Sequence, residues 1–329
     1  MVQDFETEEL KSALERALGF RLASLRRLDG GCALNFRAER EGDGSAFLVK
    51  CSPPERQSLF ANLERHLADL EGTKAVRRVF SAECPPKFRQ YNLLCLAWCQ
   101  GKRRFPDTLS DDELRAFLDD YLGFSAAMQK TSGTLPAMPL VYMREAVLRN
   151  CRGLGGALLR RMVDELLPAD ETRYRKERLR IIHGDFHHGN FLFEDGRLSG
   201  CFDLEEFRRG YPADDIVRYF VCAAEHLRWY DVRRRRRILR GFSLAVRHLP
   251  YPADEWRVAI GGLLLQKLYK HMGGQPPGEL PQQTLYNNAG ERPPGLLRAL
   301  NLLFRARLYR RLKRLLPRQP AIGSPGNDA

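Results

Sequence analysis

The sequence has little that would place the protein in a membrane or direct it for secretion. None of its 329 residues belongs to an apolar run of about 18, so we expect no helix that spans a bilayer. Met1 to Leu18 is polar and acidic, and it lacks the basic start and apolar centre of a signal peptide. Hydrophobic residues nevertheless make up 43 % of the chain, which is enough for a full core and argues against global disorder. These observations predict a folded, cytoplasmic protein.

The eight cysteines show none of the spacings that give cysteine a structural role. No two of them form a Cys-x-x-Cys pair, which argues against a zinc site. Several lie within apolar runs, as Cys95 does between Leu94 and Leu96, and this placement is typical of buried, reduced thiols. The sequence therefore predicts neither a disulfide framework nor a metal site built from cysteine.

Acidic residues are scarce relative to basic ones only in the second half of the chain. The net charge is +13, of which residues 1–150 contribute +1 and residues 151–329 contribute +12. A basic excess favours an anionic substrate, membrane headgroups or nucleic acid, although scattered arginines can also form a solvated face. No recognised nucleic-acid-binding motif accompanies the charge, so we expect no nucleic-acid partner. A non-catalytic module that binds nucleotide or nucleic acid stays open as a further alternative.

The spacing of apolar residues changes near residue 100. Strand patterns occur at 22–28, 35–39, 46–50, 76–80 and 91–98. Helical patterns occur at 6–18, 53–70, 111–129, 143–167, 215–249 and 254–272. A strand pair at 181–203 interrupts the helical part. The order predicts an α+β fold with a small, mainly β lobe followed by a larger, mainly α lobe, and a cleft between such lobes is a natural ligand site.

The stretch from His183 to Asp203 holds the residue types that phosphoryl transfer requires. Asp185 and Asn190 lie five residues apart, and Asp203 follows the apolar pair Cys201-Phe202. One carboxylate must accept or orient the proton of the attacking hydroxyl, while an amide oxygen and a second carboxylate hold Mg²⁺ on the phosphates. We therefore predict Asp185, Asn190 and Asp203 as catalytic residues, the last two as metal ligands.

A hairpin would bring the two predicted metal ligands together. Asp195-Gly196 is a type I′ turn signal, and with these two residues as the turn Glu194 would face Arg197. The same register places Asn190 opposite Cys201. Because side chains alternate along strands, Asn190 and Asp203 would then lie diagonally on one face of the hairpin.

These residues resemble the motifs of the aminoglycoside phosphotransferase and choline kinase superfamily of kinase-like enzymes. The catalytic motif of that family is His-Gly-Asp with Asn five residues after the Asp, and it is met by His183, Gly184, Asp185 and Asn190. Its metal-binding Asp with a nearby acidic residue, and the Asp that begins the next helix, match Asp203, Glu205 and Asp215. The resemblance is strongest over 181–220 and implies a bilobal protein-kinase-like fold and an ATP- and Mg²⁺-dependent phosphotransferase.

The resemblance also implies nucleotide-binding residues upstream of the catalytic motif. Lys50 ends a predicted strand and is expected to grip the α and β phosphates, with Glu64 as its ion-pair partner and Glu55 as the second choice. A phosphate loop is suggested by Gly30, Gly31 and Asn35. Trp98 to Gly101 looks like the hinge that holds adenine. We predict a nucleotide-binding lobe at 1–100 and a catalytic and acceptor-binding lobe at 101–295.

The acceptor is predicted to be small, or presented on a lipid. Only residues 204–214 separate Asp203 from Asp215, which is too short for the segment with which protein kinases dock a peptide. Cationic acceptors such as aminoglycosides or choline need clustered carboxylates or aromatic cages, whereas this lobe is basic. The charge favours a neutral or anionic hydroxyl acceptor: a sugar, a sugar phosphate or a lipid-linked saccharide such as lipopolysaccharide core. A cationic acceptor is the alternative.

A basic amphipathic helix is predicted at 296–316, before a disordered tail at 317–329. Its apolar stripe consists of Leu297, Leu300, Phe304, Leu308, Leu312 and Leu315, and arginines border that stripe. This pattern is typical of a helix that lies on an anionic membrane surface, here the inner face of the membrane. The alternative is that the stripe packs on the second lobe and the arginines are solvated.

Overall fold

The computed structural model describes residues 7–28, 34–52, 70, 87–130, 135, 137–150, 153–166, 176–227, 230–271 and 307–317. The chain divides into two compact units. The first unit consists of residues 1–104, 119–134 and 189–207, and the second of 105–118, 135–188 and 208–329. The α+β class predicted from the sequence is confirmed.

The first unit is built on an antiparallel sheet with the strand order β1-β2-β3-β5-β4. Its elements are α1 (Thr7–Leu18), β1 (Leu22–Leu28), β2 (Leu34–Arg40), β3 (Ala46–Ser52), β4 (Lys87–Phe88) and β5 (Tyr91–Ala97). Alternate residues of β2, Leu34, Phe36 and Ala38, are buried, as the two-residue period of a strand requires. Leu10 and Leu14 of α1 belong to the same apolar core. The predicted strand at 76–80 and nearly all of the helix predicted at 53–70 lie outside the described residues.

The remaining elements are mostly helical. In chain order they are α2 (Asp111–Met128), α3 (Leu140–Arg149), α4 (Gly153–Leu166), β6 (Arg180–Ile182), β7 (Phe191–Glu194), β8 (Arg197–Cys201), β9 (Arg208–Gly210), α5 (Pro212–His226), α6 (Val232–His248) and α7 (Ala253–His271). Helix α5 lies in the core of the second unit, and every residue from Pro212 to Val221 is buried. Phe220, Phe242 and Trp256 join α5, α6 and α7 by edge-to-face ring contacts, each with 5.6 Å between ring centroids.

The β7–β8 hairpin has the predicted turn but a different register. Asp195 and Gly196 both have positive φ angles, 50° and 75°, as a type I′ turn requires, and Glu194 pairs with Arg197. Further along, the register shifts between Leu192 and Phe193, so that Phe191 pairs with Cys201. The prediction that Asn190 faces Cys201 is therefore wrong by one residue.

Ser199, the residue left unpaired by the register shift, makes a contact outside the hairpin. Its hydroxyl donates a hydrogen bond of 2.6 Å to the carbonyl oxygen of Gln100, within the predicted hinge segment. Lys102, which directly follows that segment, pairs with Phe193 through two backbone hydrogen bonds of 2.8 and 2.9 Å. Gly101 has φ +124°, and a Cβ atom there would lie 2.5 Å from the Phe193 carbonyl oxygen, so only glycine fits this close approach.

The described part of the C-terminal basic helix is packed against protein. Residues 307–314 are helical, and the side chains of Leu308, Tyr309 and Leu312 are at most 3 % exposed. Arg310 donates to the Glu165 carboxylate of α4 at 2.7–3.0 Å, and this bond holds the pKa of Glu165 below its ordinary value. Of the stripe expected to face a membrane, Leu308 and Leu312 are thus covered by protein, and the packing alternative holds for the described segment. Among the described residues, no helix is long and apolar enough to cross a membrane.

Replacing Leu312 with alanine should lower the free energy of unfolding. The side chain is 1 % exposed, and leucine-to-alanine changes at such sites cost about 2–5 kcal/mol. Leu315→Ala on the same helix is the matched control, because Leu315 is 37 % exposed and should change stability by less than about 1 kcal/mol. Urea unfolding curves would measure both variants. Equal, small effects would show that residues 307–316 do not contribute to the core.

Candidate active site

An ion pair joins two predicted site residues that lie far apart in the sequence. The Nζ atom of Lys50, on β3, donates to Oδ1 of Asp203 at 2.7 Å, across 153 residues of chain. The Lys50 side chain is only 11 % exposed, whereas that of Asp203 is 54 % exposed. A buried ammonium group needs an opposite charge, and the half-open carboxylate supplies it while keeping access to solvent. Both residues belong to the first unit.

The backbone of Asp203 has a conformation that is uncommon for a residue with a side chain. Its φ and ψ are 53° and 50°, in the left-handed region, and it precedes a short 3₁₀ helix formed by Leu204–Glu206. Non-glycine residues in this region are few and concentrate at functional sites. At Asp203 the chain turns away from the direction of β8. The Asp203 carboxylate therefore does not follow the alternation of side chains along the hairpin.

Asn190 directly precedes β7, the other strand of the same hairpin. Its carbonyl oxygen accepts a hydrogen bond of 2.8 Å from the backbone N–H of Phe202, so its partner is the residue that precedes Asp203. Asn190 is 4 % exposed. The amide oxygen of Asn190 and the carboxylate of Asp203 are hard oxygen donors in one unit, and this donor set fits a cation such as Mg²⁺.

The loop that carries Asp185 is held by the first turn of α5. The backbone N–H groups of His183 and Gly184 each donate to the Asp215 carboxylate at 2.9 Å. Burial raises the pKa of Asp215, which is fully enclosed. The neighbouring Asp214 accepts a hydrogen bond of 3.2 Å from the backbone N–H of Tyr211 and caps α5. Asp214 thus caps the helix, and Asp215 anchors the loop.

Each oxygen of the Asp185 carboxylate faces a different donor. Oδ2 lies 3.4 Å from Nε2 of His187, and Oδ1 lies 3.4 Å from Nη1 of Arg218 on α5. Burial alone would raise the pKa of Asp185, but the hydrogen bond from His187 and the charge of Arg218 outweigh it and leave the pKa well below its ordinary value. The carboxylate is therefore ionised at neutral pH and can accept a hydrogen bond or a proton.

The structure describes some of the predicted site residues and not others. Lys50 and Asp203 are in contact, and Asn35 of β2 lies opposite Lys50 in the sheet register. Glu64, the alternative Glu55, and the glycines Gly30 and Gly31 lie outside the described residues, so their nucleotide-binding roles stay predictions. The lobe boundaries at residues 100 and 295, the amphipathic helix at 296–316 and the tail at 317–329 also stay predictions.

Sequence reasoning missed Arg218 and its partner Gln266. Arg218 lies three residues after Asp215, and residues three apart share one face of a helix. Since Asp215 matches a residue of the family's motifs, its helical neighbour could have been proposed as well. No comparable signal points to Gln266, which lies 48 residues further along the chain.

The chain is similar to known phosphotransferases in both sequence pattern and fold. The model of the phosphotransferase enzyme family matches residues 24–253. No curated protein sequence matches. A solved spectinomycin phosphotransferase is 12 % identical with a TM-score of 0.59, over 95 % of this chain and 100 % of that one. An amicoumacin kinase is 14 % identical with a TM-score of 0.58, over 95 % and 98 %.

A third solved structure, an aminoglycoside phosphotransferase from Streptomyces rimosus, is 18 % identical with a TM-score of 0.50 and covers 80 % of this chain and 99 % of that one. At these identities the likeness is one of fold. It confirms the predicted kinase-like fold.

Proposed function

Because the chain belongs to the phosphotransferase enzyme family, we propose that it transfers the γ-phosphoryl group of ATP to a hydroxyl group of a small molecule, with Mg²⁺ as the metal. The Lys50–Asp203 ion pair carries this proposal. It combines a buried cation, suited to phosphate oxygens, with an accessible carboxylate, suited to a metal ion. Solved structures of similar fold hold AMP-PNP with Ca²⁺ or ADP, which supports the use of a nucleotide.

Each predicted residue has one task in the transfer. Lys50 would bind the α and β phosphates, and Asn190 and Asp203 would hold Mg²⁺ through their side-chain oxygens. When bound, Mg²⁺ supplies positive charge that neutralises the developing charge on the β and γ phosphates. The ionised carboxylate of Asp185 would orient the acceptor hydroxyl and accept its proton.

The charges around Asp185 favour a neutral or anionic acceptor. Arg218 contacts the Asp185 carboxylate, and the buried Arg208 donates to the Gly184 carbonyl oxygen at 2.8 Å. Asp214 and Asp215 are occupied by backbone N–H groups. Among the described residues of this loop and the start of α5, the carboxylates are thus already engaged, and two buried guanidinium groups add positive charge beside Asp185.

A sugar or sugar phosphate is therefore the acceptor class that we favour. A lipid-linked saccharide carries the same kind of hydroxyl groups. The main reason to favour it is the predicted membrane contact of the helix at 296–316. Because the described part of that helix is packed against protein, we do not propose that the protein contacts a membrane. The similar proteins of known structure hold amicoumacin, spectinomycin or hygromycin B, and a cationic acceptor of that kind is the competing candidate.

A comparison of acceptors would decide between these classes. ADP release from Mg-ATP would be measured with neutral sugars, sugar phosphates, aminoglycosides and choline, with the Asp185→Asn variant as the background. We expect turnover above background only with neutral or anionic hydroxyl compounds. Stimulation by aminoglycosides or choline alone would replace the favoured acceptor by the cationic one. ATP binding without turnover for any compound would point to a non-catalytic nucleotide-binding module.

A further inference from the structure

The two donors on Asp185 differ in how firmly they are held. Arg218 is 9 % exposed on its side chain, and its Nη2 donates a short hydrogen bond to Oε1 of Gln266 on α7. Gln266 is itself only 4 % exposed. The side chain of His187, on Oδ2, is 31 % exposed and comes from the same loop as Asp185. The donor on Oδ1 is therefore fixed by two helices, whereas the donor on Oδ2 is accessible.

This difference gives the two carboxylate oxygens different roles. An aspartate can rotate about its Cβ–Cγ bond, and a base that must meet an acceptor hydroxyl gains from having one orientation. A guanidinium that is locked in place favours one orientation of the carboxylate. Oδ2, which faces the accessible side chain of His187, is then the oxygen suited to the acceptor.

We propose that Arg218, held by Gln266, is a positioning residue that fixes Oδ1 of Asp185 and leaves Oδ2 as the oxygen that accepts the proton of the acceptor hydroxyl. The proposal rests on the proposed function. As the acceptor oxygen bonds to the γ-phosphorus, its proton passes to Oδ2, the bond from the γ-phosphorus to the bridging oxygen breaks, and ADP leaves. Arg218 acts on this step only through Asp185.

The surroundings of Asp185 leave Arg218 as the group suited to this role. His183 accepts a hydrogen bond of 3.3 Å from the backbone N–H of Asp185 through Nδ1, so it holds the main chain. Arg208 of β9 donates to the Gly184 carbonyl oxygen. The guanidinium of Arg218, on α5, contacts the Asp185 carboxylate directly.

Three variants separate positioning from a general effect on the fold. Arg218→Met removes the donor, Arg218→Lys keeps the charge without the planar fork, and Gln266→Leu removes only the anchor. The matched control is the double variant Glu225→Gln with Lys267→Met, which removes an ion pair between the same two helices, α5 and α7. Thermal unfolding and Mg-ATP binding would be measured for each variant.

The expected loss is in kcat and not in the KM for ATP. A misplaced base typically costs about 100-fold, so Arg218→Met should lower kcat by about that factor. Gln266→Leu and Arg218→Lys should each lower kcat by about tenfold. The first variant keeps the guanidinium of Arg218, and the second keeps a positive charge at that position. The KM for ATP should stay within about threefold, as expected when an interaction acts only in the transition state. The control should retain wild-type kcat.

A second readout does not require an acceptor. The Asp185 carboxyl signal in ¹³C NMR, assigned by its loss in Asp185→Asn, should titrate at higher pH in Arg218→Met and in Gln266→Leu than in the wild type. If both variants match the control in kcat and in this titration, the proposal is overturned. If Arg218→Met does not fold, Gln266→Leu decides alone. If the wild type turns over no acceptor while the titration shifts as expected, the Arg218 contact stands and the proposed function fails.

Discussion

Replacing Asp185 with asparagine is expected to lower kcat for phosphoryl transfer by about 10²–10⁴-fold, the usual contribution of a positioned acid or base. The amide has the shape of the carboxylate but cannot accept the proton of the acceptor hydroxyl. The loop should keep its position, because its anchors to Asp215 come from the backbone N–H groups of His183 and Gly184. Affinity for Mg-ATP should change little, since Lys50 and Asp203 are untouched.

Steady-state ADP release would measure kcat, and calorimetry would measure the affinity for Mg-ATP. Asp195→Asn is the matched control, because it makes the same chemical change at an exposed position of the β7–β8 turn, where asparagine is well tolerated. A rate for Asp185→Asn within tenfold of the wild type would remove Asp185 from its proposed role.

The low pKa of Asp185 gives this assignment a pH dependence. Because the folded-state pKa lies below the ordinary value, the carboxylate stays ionised as the pH falls through the range in which an ordinary aspartate, with a pKa of about 3.9, is protonated. The stability that its contacts provide is present above that range and is lost only at lower pH. Loss of activity at mildly acidic pH should therefore have another origin than protonation of Asp185.

The second large effect is expected for Asp203→Ala. Without this carboxylate, Mg²⁺ would lose its only charged protein ligand in the proposed set, and Lys50 would lose the counter-charge that lies 2.7 Å from its Nζ atom. We expect the affinity for Mg-ATP to fall at least about 100-fold, which corresponds to about 2.8 kcal/mol. Affinity for ATP measured without a divalent cation should fall much less, because the phosphates would still meet Lys50.

Calorimetric titrations with ATP, in the presence of Mg²⁺ and of a chelator, would test this difference. Glu194→Ala serves as the control, since it removes a carboxylate from the exposed end of the same hairpin. Unchanged Mg-ATP affinity in Asp203→Ala would mean that Asp203 is not a metal ligand, and the assignment of Asn190 as the second ligand would fall with it.

The hairpin shows how far local sequence signals reach. Asp195-Gly196 predicts the turn correctly, because positive φ angles at both positions are a local requirement. The shift in register is not local. It accompanies the bond from the Ser199 hydroxyl to Gln100, which lies 99 residues earlier in the chain. Residue type and spacing point to Asn190 and Asp203 as site residues. Their pairing in the hairpin could not be predicted, because the periodicity of the sequence does not reveal the Ser199–Gln100 contact.

The C-terminal helix shows a different limit. The apolar stripe predicts correctly that Leu308 and Leu312 are buried, but it does not predict whether lipid or protein covers them. An apolar stripe is buried equally well by lipid or by protein, so the spacing of Leu308 and Leu312 predicts burial without naming what covers it. The contacts of Arg310 and Lys313 with Glu165, about half the chain away, identify protein as the partner of this segment. Arginines that border an apolar stripe therefore indicate ion pairs with protein as readily as with a membrane.

Phosphoryl transfer to a hydroxyl group is tested most directly by ³¹P NMR of the protein with Mg-ATP and neutral or anionic hydroxyl acceptors. We expect a new phosphomonoester signal that grows in equal amount with ADP, and that is absent with Asp185→Asn. Release of ADP with inorganic phosphate as the only other product, or no consumption of ATP with any hydroxyl compound, would contradict it.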